Sequence, residues 1–146
     1  MRTLLAGLAV CCLLAADAAQ DAAKKDSAKL EGEWTLVSAE RNGEPVPDEV
    51  VKTAKRVFEG NEATVTVNDE VVLKATVTID ATKKPKTIDY KVTEGEAEGK
   101  TILGIYELDG DNAKFCSGTP GGERPTEFTA KEGSGRTLSV WKRVKK

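Results

Sequence analysis

Apolar and polar residues alternate with a period of two along most of the chain, the signature of half-buried strands. Ala63, Val65 and Val67 alternate with Thr64, Thr66 and Asn68, and Val71, Leu73, Ala75, Val77 and Ile79 carry the longest run. Ile88, Tyr90 and Val92 share one face, with Thr87, Asp89 and Lys91 on the other. An earlier strand opens at Trp34-Thr35-Leu36-Val37 and is broken by Glu44-Pro45-Val46-Pro47. The spacing of Val50, Val51, Ala54 and Val57 predicts a short helix over 47–57, with Pro47 at its start and Asp48 and Glu49 in its first turn. Ile102 to Leu108 is apolar on both faces, so a strand covered twice is expected there. Phe115 follows the turn Asp109-Gly110-Asp111-Asn112, Phe128 is expected on a short strand after Pro125, and Leu138 to Val144 forms the last strand with Trp141. Further turns fall at Gly60-Asn61, Asn68-Asp69, 95–99 and 133–135.

The pattern predicts a mainly all-β chain of eight to nine short antiparallel strands with one early helix. Closure into an up-and-down antiparallel β-barrel removes the exposed edges of such a sheet. A β-sandwich is the alternative. No linker or internal repeat divides the chain, whose 146 residues suit one domain.

The first residues break the alternation. Arg2 precedes an uncharged apolar run from Leu4 to Ala16, and Ala16-Asp17-Ala18 supplies small residues around a cleavage point. This order predicts a secretory signal peptide over 1–18, cleaved near Ala18, and places the mature chain in the periplasm or outside the cell. The run is shorter than the ~20 residues of a membrane-spanning helix, so the mature chain carries no transmembrane segment. Residues 19–29 are rich in Ala, Lys and Asp and read as a flexible, solvated lead-in to a barrel domain over 30–146. Cys11 and Cys12 leave with the peptide, so Cys116 remains alone and no internal disulfide forms.

Composition narrows the chemistry. With 22 Lys and Arg against 24 Asp and Glu, the formal net charge is −2, and no basic excess exists to meet nucleic acid. There is no histidine, which removes His-based triads, His-liganded metals and the usual proton shuttle. No metal, cofactor or catalytic residue is expected.

Each motif weighs against a simpler reading. Gly95-Glu96-Ala97-Glu98-Gly99-Lys100-Thr101 is one residue short of a phosphate loop, carries two acids and precedes a strand, so it reads as a hairpin turn. Asp109-Gly110-Asp111-Asn112 lacks the twelfth-position glutamate of a calcium loop, where Pro120 stands. Glu31, Glu33, Asp80, Asp89, Glu107 and Glu127 show no spacing that singles out a catalytic pair. Cys116 reads as a buried structural thiol. The stretch Ser117 to Pro125 holds three glycines and two prolines around Glu123 and Arg124, a shaped loop in which Arg124 either clamps a ligand carboxylate or pairs with a local acid.

Leu30-x-Gly32-x-Trp34 resembles the Gly-x-Trp opening of lipocalin and calycin barrels. Together with the Asn42-Gly43 turn, Lys84-Pro85-Lys86-x-Ile88-Asp89, Gly104-Ile105-Tyr106, Cys116 and Arg124-Pro125-x-x-Phe128, the chain over roughly 27–144 resembles a lipocalin-like domain family of unknown function expanded in planctomycete bacteria. The resemblance implies an exported or envelope barrel with Gly32, Trp34 and Cys116 in structural positions. It also implies an arginine of the last strand, Arg143 or Arg136, packed on Trp34. It implies no reaction and no defined binding residues.

The expected function is binding of a small apolar or amphipathic ligand without catalysis, by a monomer, with Tyr90, Tyr106 and Arg124 as candidate ligand contacts. A filled barrel acting as a protein-interaction or structural module of the cell envelope is the alternative. An enzyme working through carboxylates, the two tyrosines, Cys116 and Arg124 ranks third.

Overall fold

The computed structural model describes residues 20–145. The expected signal peptide over 1–18 therefore lies outside the described residues. The chain forms a helix α1 (residues 20–30), then β1 (Gly32–Arg41), β2 (Glu44–Pro45), α2 (Asp48–Thr53), β3 (Lys55–Glu59), β4 (Glu62–Val67), β5 (Glu70–Asp80), β6 (Lys86–Gly95), β7 (Thr101–Asp109), β8 (Asn112–Ser117) and β9 (Thr137–Arg143).

From β3 to β9 each strand pairs antiparallel with its successor, and β1 pairs with both β3 and β9. Eight strands thus close into an antiparallel barrel, with β2 as an added strand on β1. The closing register runs from Trp34 opposite Arg143 to Arg41 opposite Thr137, shifted once at Leu36/Ser38, where Val37 is left exposed. Tight turns make the meander possible. Asn42 and Gly43 both have positive φ, 53° and 86°, as do Asn68 and Asp69 at 53° and 64°, the backbone that two-residue hairpin turns require.

Alternation fills the interior. Trp34, Phe58, Ala63, Ala75, Ile88, Tyr90, Tyr106, Phe115 and Trp141 are all buried in one core. Small alanines on β4 and β5 face the large rings, which lets the layers interdigitate.

Ile105 and Cys116, opposite each other on β7 and β8, point outward yet are 1% and 0% exposed. The irregular segment 118–136 lies over them, contributing buried Pro125 and Ala130. This is the second cover that the doubly apolar strand anticipates. Gly118 permits the close approach: a Cβ there would stand 2.3 Å from the Glu123 carbonyl oxygen.

Three sequence expectations need correction. Residues 20–30 are a packed helix instead of a solvated lead-in, because Leu30 enters the core and Asp26, 4% exposed, finds partners on the barrel. The helix expected over 47–57 stops at Thr53, and Lys55 to Glu59 is strand because it pairs with both β1 and β4. Phe128 lies in irregular chain, since β8 and β9 pair directly and leave no edge for a strand between them.

Candidate functional site

The barrel has two unlike ends. At one, where β1 begins and β9 finishes, α1 lies across the opening. Trp34 Nε1 donates to the Leu30 carbonyl at 2.8 Å, and Lys86 Nζ and the Tyr106 hydroxyl donate to Asp26 Oδ2 at 2.8 and 2.7 Å. Burial alone raises the Asp26 carboxyl, but its two hydrogen bonds and the charge of Lys86 outweigh this and hold it below the ordinary carboxylate range. Tyr106 is pushed well above the ordinary phenol value by burial and by Asp26, so it stays a neutral donor.

Arg143, and not Arg136, stacks on Trp34, with its Cζ 4.4 Å from the ring centroid. Its Nη1 donates to the Glu31 carbonyl at 2.8 Å and its Nη2 to the Lys29 carbonyl. These are the carbonyls that the end of α1 leaves free, where a cation is also favoured by the helix dipole. Gly32 approaches the same guanidinium, since a Cβ there would lie 3.5 Å from Arg143 Nη1.

At the other end the connection through α2 crosses the barrel, and Val46, Val50 and Val51 rest on the core only partly buried. Inward side chains of the strands reaching this end, Val65, Val67, Leu73 and Ile102, are also partly buried. One end is sealed by a hydrogen-bonded helix; the other is rimmed by aliphatic groups that keep accessible surface.

Between them, at the start of β3, Arg56 points inward with Ala54 and Phe58. Its Cζ lies 4.5 Å from the Phe115 ring centroid and 4.6 Å from that of Trp141, with Tyr90 and Phe58 at 5.9 and 6.0 Å. Its one side-chain hydrogen bond among the described residues is Nη1 to the Tyr90 hydroxyl at 3.5 Å, and its buried Nε has none. The residue as a whole keeps some accessible surface although Nε is sealed.

Ion pairs of the described residues use Lys74, Lys86, Lys114, Arg124, Arg143 and Lys145; none uses Arg56. Burial pushes its guanidinium down from the ordinary value, with Tyr90 opposing, yet a guanidinium starts so high that it remains charged at neutral pH. Burial likewise raises the Tyr90 phenol, and Arg56 pulls it part of the way back. An unpaired cation in such a place costs several kcal/mol, which ring contacts worth ~0.5–2 kcal/mol each offset only in part.

The three ligand contacts expected from sequence are not brought together. Tyr90 lies beside Arg56, whereas Tyr106 is committed to Asp26 at the sealed end. Arg124 lies outside the barrel, where Nη2 meets Asp89 Oδ1 at 2.6 Å and Nη1 the Gly104 carbonyl at 2.7 Å, so it pins the covering segment to β6 and β7. A groove of about 530 Å³ opens beside it, between α1 and the outer face of β5 and β6, lined by Gln20, Ala23, Ile79, Asp80, Lys83 and Arg124. Cys116 is buried beneath the cover, its thiol raised by burial while it donates to the Thr129 carbonyl at 3.3 Å.

Arg56 was missing from the sequence candidates. The signal lies in Ala54-Arg56-Phe58: read at period two, it sets a cation between two inward apolar positions. Among the described residues no group of His, Cys, Asp and Glu is placed to hold a metal ion, and no helix is long and apolar enough to cross a membrane. Comparisons with protein-family models, curated proteins and solved structures find no match to this chain.

Proposed function

We propose that the protein is an exported lipocalin-like barrel that binds a small apolar or amphipathic molecule in the half of its interior facing α2, without catalysis. The observation that carries this reading is Arg56, an inward cation with a buried donor that no described protein group satisfies. A filled structural barrel gains nothing from such a residue, since an aliphatic side chain there avoids the desolvation cost. The partly buried aliphatic rim at the α2 end gives an apolar molecule a way in, and the α1 end offers a closed floor. Export is supported by the charge, apolar-run and small-residue order of residues 1–18.

A second reading, an envelope interaction module with a filled barrel, draws on the packing of Trp34, Tyr106, Phe115 and Ile88, each below 2% exposed. Native mass spectrometry of the protein purified gently from its host separates the two. A small molecule that co-purifies and leaves on denaturation is the expected result. A bare protein mass that stays bare after exposure to a host-lipid extract overturns the ligand-binding reading in favour of the second.

A further inference from the structure

Valines gather at the α2 end of the barrel, where the chain leaves them uncovered. Val71 keeps the inward phase of Leu73 and Ala75 on β5, yet it is 50% exposed, and Val72 beside it is 45% exposed. Their exposure follows from register. On the β4 side Val71 still pairs with Thr66, but on the β6 side pairing stops at Leu73 opposite Gly95, so the two valines run past the rim. α2 packs against β1 and β4 with no buried residue of its own, and its Val50 and Val51 are only partly covered, as is Val67 of β4. We propose that this end of the barrel is a docking surface for a partner protein, whose contact segment is cationic and amphipathic, an apolar stripe on the valines flanked by Lys or Arg. The inference goes beyond the ligand-binding reading and holds whether or not the interior takes a molecule.

Charge names the partner. Asp48 and Glu49 on α2, Asp69 and Glu70 at the β4–β5 turn, and Glu94, Glu96 and Glu98 around the β6–β7 turn are all exposed. The last of these groups is held beside the valines, since a Cβ at Gly95 would stand 2.6 Å from the Val72 carbonyl oxygen. The bases among and next to these segments are Lys52, Lys55 and Lys100. No ion pair of the described residues involves any of these acids. Lys74, opposite Glu94 in register, turns to Glu62 instead. At the α1 end, by contrast, Asp26 and Asp111 both have basic partners. The whole chain nets only −2, so its excess of negative charge sits around the exposed valines.

An apolar centre inside a charged rim is the anatomy of a protein interface. The sign of the rim disfavours two other occupants. A second copy meeting it by the same face sets acid against acid, and an anionic lipid surface is repelled in the same way. A basic segment gains steering and register from the acids, while contact with the valines supplies affinity.

Titration of the isotope-labelled protein with a synthetic helical peptide of leucine and lysine, and with its leucine–glutamate counterpart of the same apolar face, tests the assignment through amide chemical shifts. The lysine peptide is expected to bind at least ~10-fold more tightly, to perturb residues 48–53, 67–72 and 94–100 together, and to weaken as salt is raised. Val71→Ser with Val72→Ser is expected to lower its affinity by about 3–10-fold. Glu70→Lys with Glu96→Lys is expected to abolish the preference for lysine, whereas Asp109→Lys, at the opposite end, leaves affinity unchanged. Equal binding of the two peptides, shifts scattered over acids elsewhere, or unchanged affinity in the folded valine variant overturns the proposal. So does binding of neither peptide, an outcome that leaves the ligand-binding reading in place. Sedimentation of the protein alone and flotation with phosphatidylcholine vesicles test the other occupants: self-association or vesicle binding that the valine substitutions abolish overturns the proposal in favour of a second copy or a lipid surface. If the variants do not fold, the wild-type shift map and peptide preference decide alone.

Discussion

The Tyr106 hydroxyl lies 2.7 Å from Asp26 Oδ2, joining residues 80 positions apart and fastening α1 to the barrel wall. Lys86 completes the fastening at 2.8 Å. Removing the carboxylate strands a buried phenol donor and a partly buried ammonium. Asp26→Ala is therefore expected to cost about 2–4 kcal/mol in urea unfolding. Amide hydrogen exchange over residues 20–30 is expected to rise more than in the strands, because the lock holds the helix rather than the sheet.

The same carboxylate makes stability depend on acid. Its folded-state pKa is depressed below the unfolded value by Lys86 and Tyr106, against the opposing effect of burial. Its contribution is then complete above the unfolded value, ~4, and is lost as pH falls through the folded value. Urea midpoints measured from pH 7 downwards should fall more steeply for the wild type than for Asp26→Asn once the pH is below about 4.

Arg143 does two things at once, stacking on Trp34 and donating to two carbonyls at the end of α1. Arg143→Ala is expected to destabilise the fold by about 1–3 kcal/mol. Arg143→Lys should recover little of this, because an ammonium cannot lie flat on the indole while reaching both carbonyls. Thermal unfolding of the two variants, followed by tryptophan fluorescence, checks the difference.

Arg124 holds the segment over Cys116 through an ion pair that water partly reaches, its side chain 30% and that of Asp89 40% exposed. Such a pair is worth ~0–1 kcal/mol, with the bond to the Gly104 carbonyl in addition. Arg124→Ala should leave global stability nearly unchanged but open the cover more often. The Cys116 thiol should then react with a disulfide reagent about 5-fold faster than in the wild type, corresponding to ~1 kcal/mol of local opening.

The asparagine–glycine turn between β1 and β2 is also tightly specified. Gly43 has φ of 86°, and a Cβ there would stand 2.8 Å from the Glu132 backbone nitrogen. Gly43→Ala is expected to cost about 1–3 kcal/mol, read from the urea midpoint, with the covering segment disturbed through Glu132.

Strands β4 to β7 were legible because each sets one face on the core and the other on solvent or cover, so period two survives in the sequence. The boundary between α2 and β3 was not. Val50, Ala54 and Val57 fit a helical stripe, while Ala54, Arg56 and Phe58 fit a strand, and pairing with β1 and β4 decided between them. Arg56 stayed hidden for that reason: on a helix it reads as a solvated flank. Asp26 was equally opaque, since only Lys86 and Tyr106, distant in sequence, make a buried place for it. Trp34 and its arginine partner were anticipated as a pair, and geometry selected Arg143 over Arg136. The composition of its loop marks Arg124, and the contact with Asp89 makes it a clamp on the fold.

The β1–β9 seam gives the fold a timetable. Of the described strands β1 is the first to be synthesised and β9 the last, yet their pairing is the one that closes the ring, from Trp34–Arg143 to Arg41–Thr137. Hairpins from β3 to β8 can form from local chain, but the ring stays open until Thr137–Arg143 joins β1. Until then β1 and β8 are raw edges able to pair with other chains. Any truncation that removes Thr137–Arg143 leaves that condition permanent and is expected to turn the closed barrel into aggregating sheet.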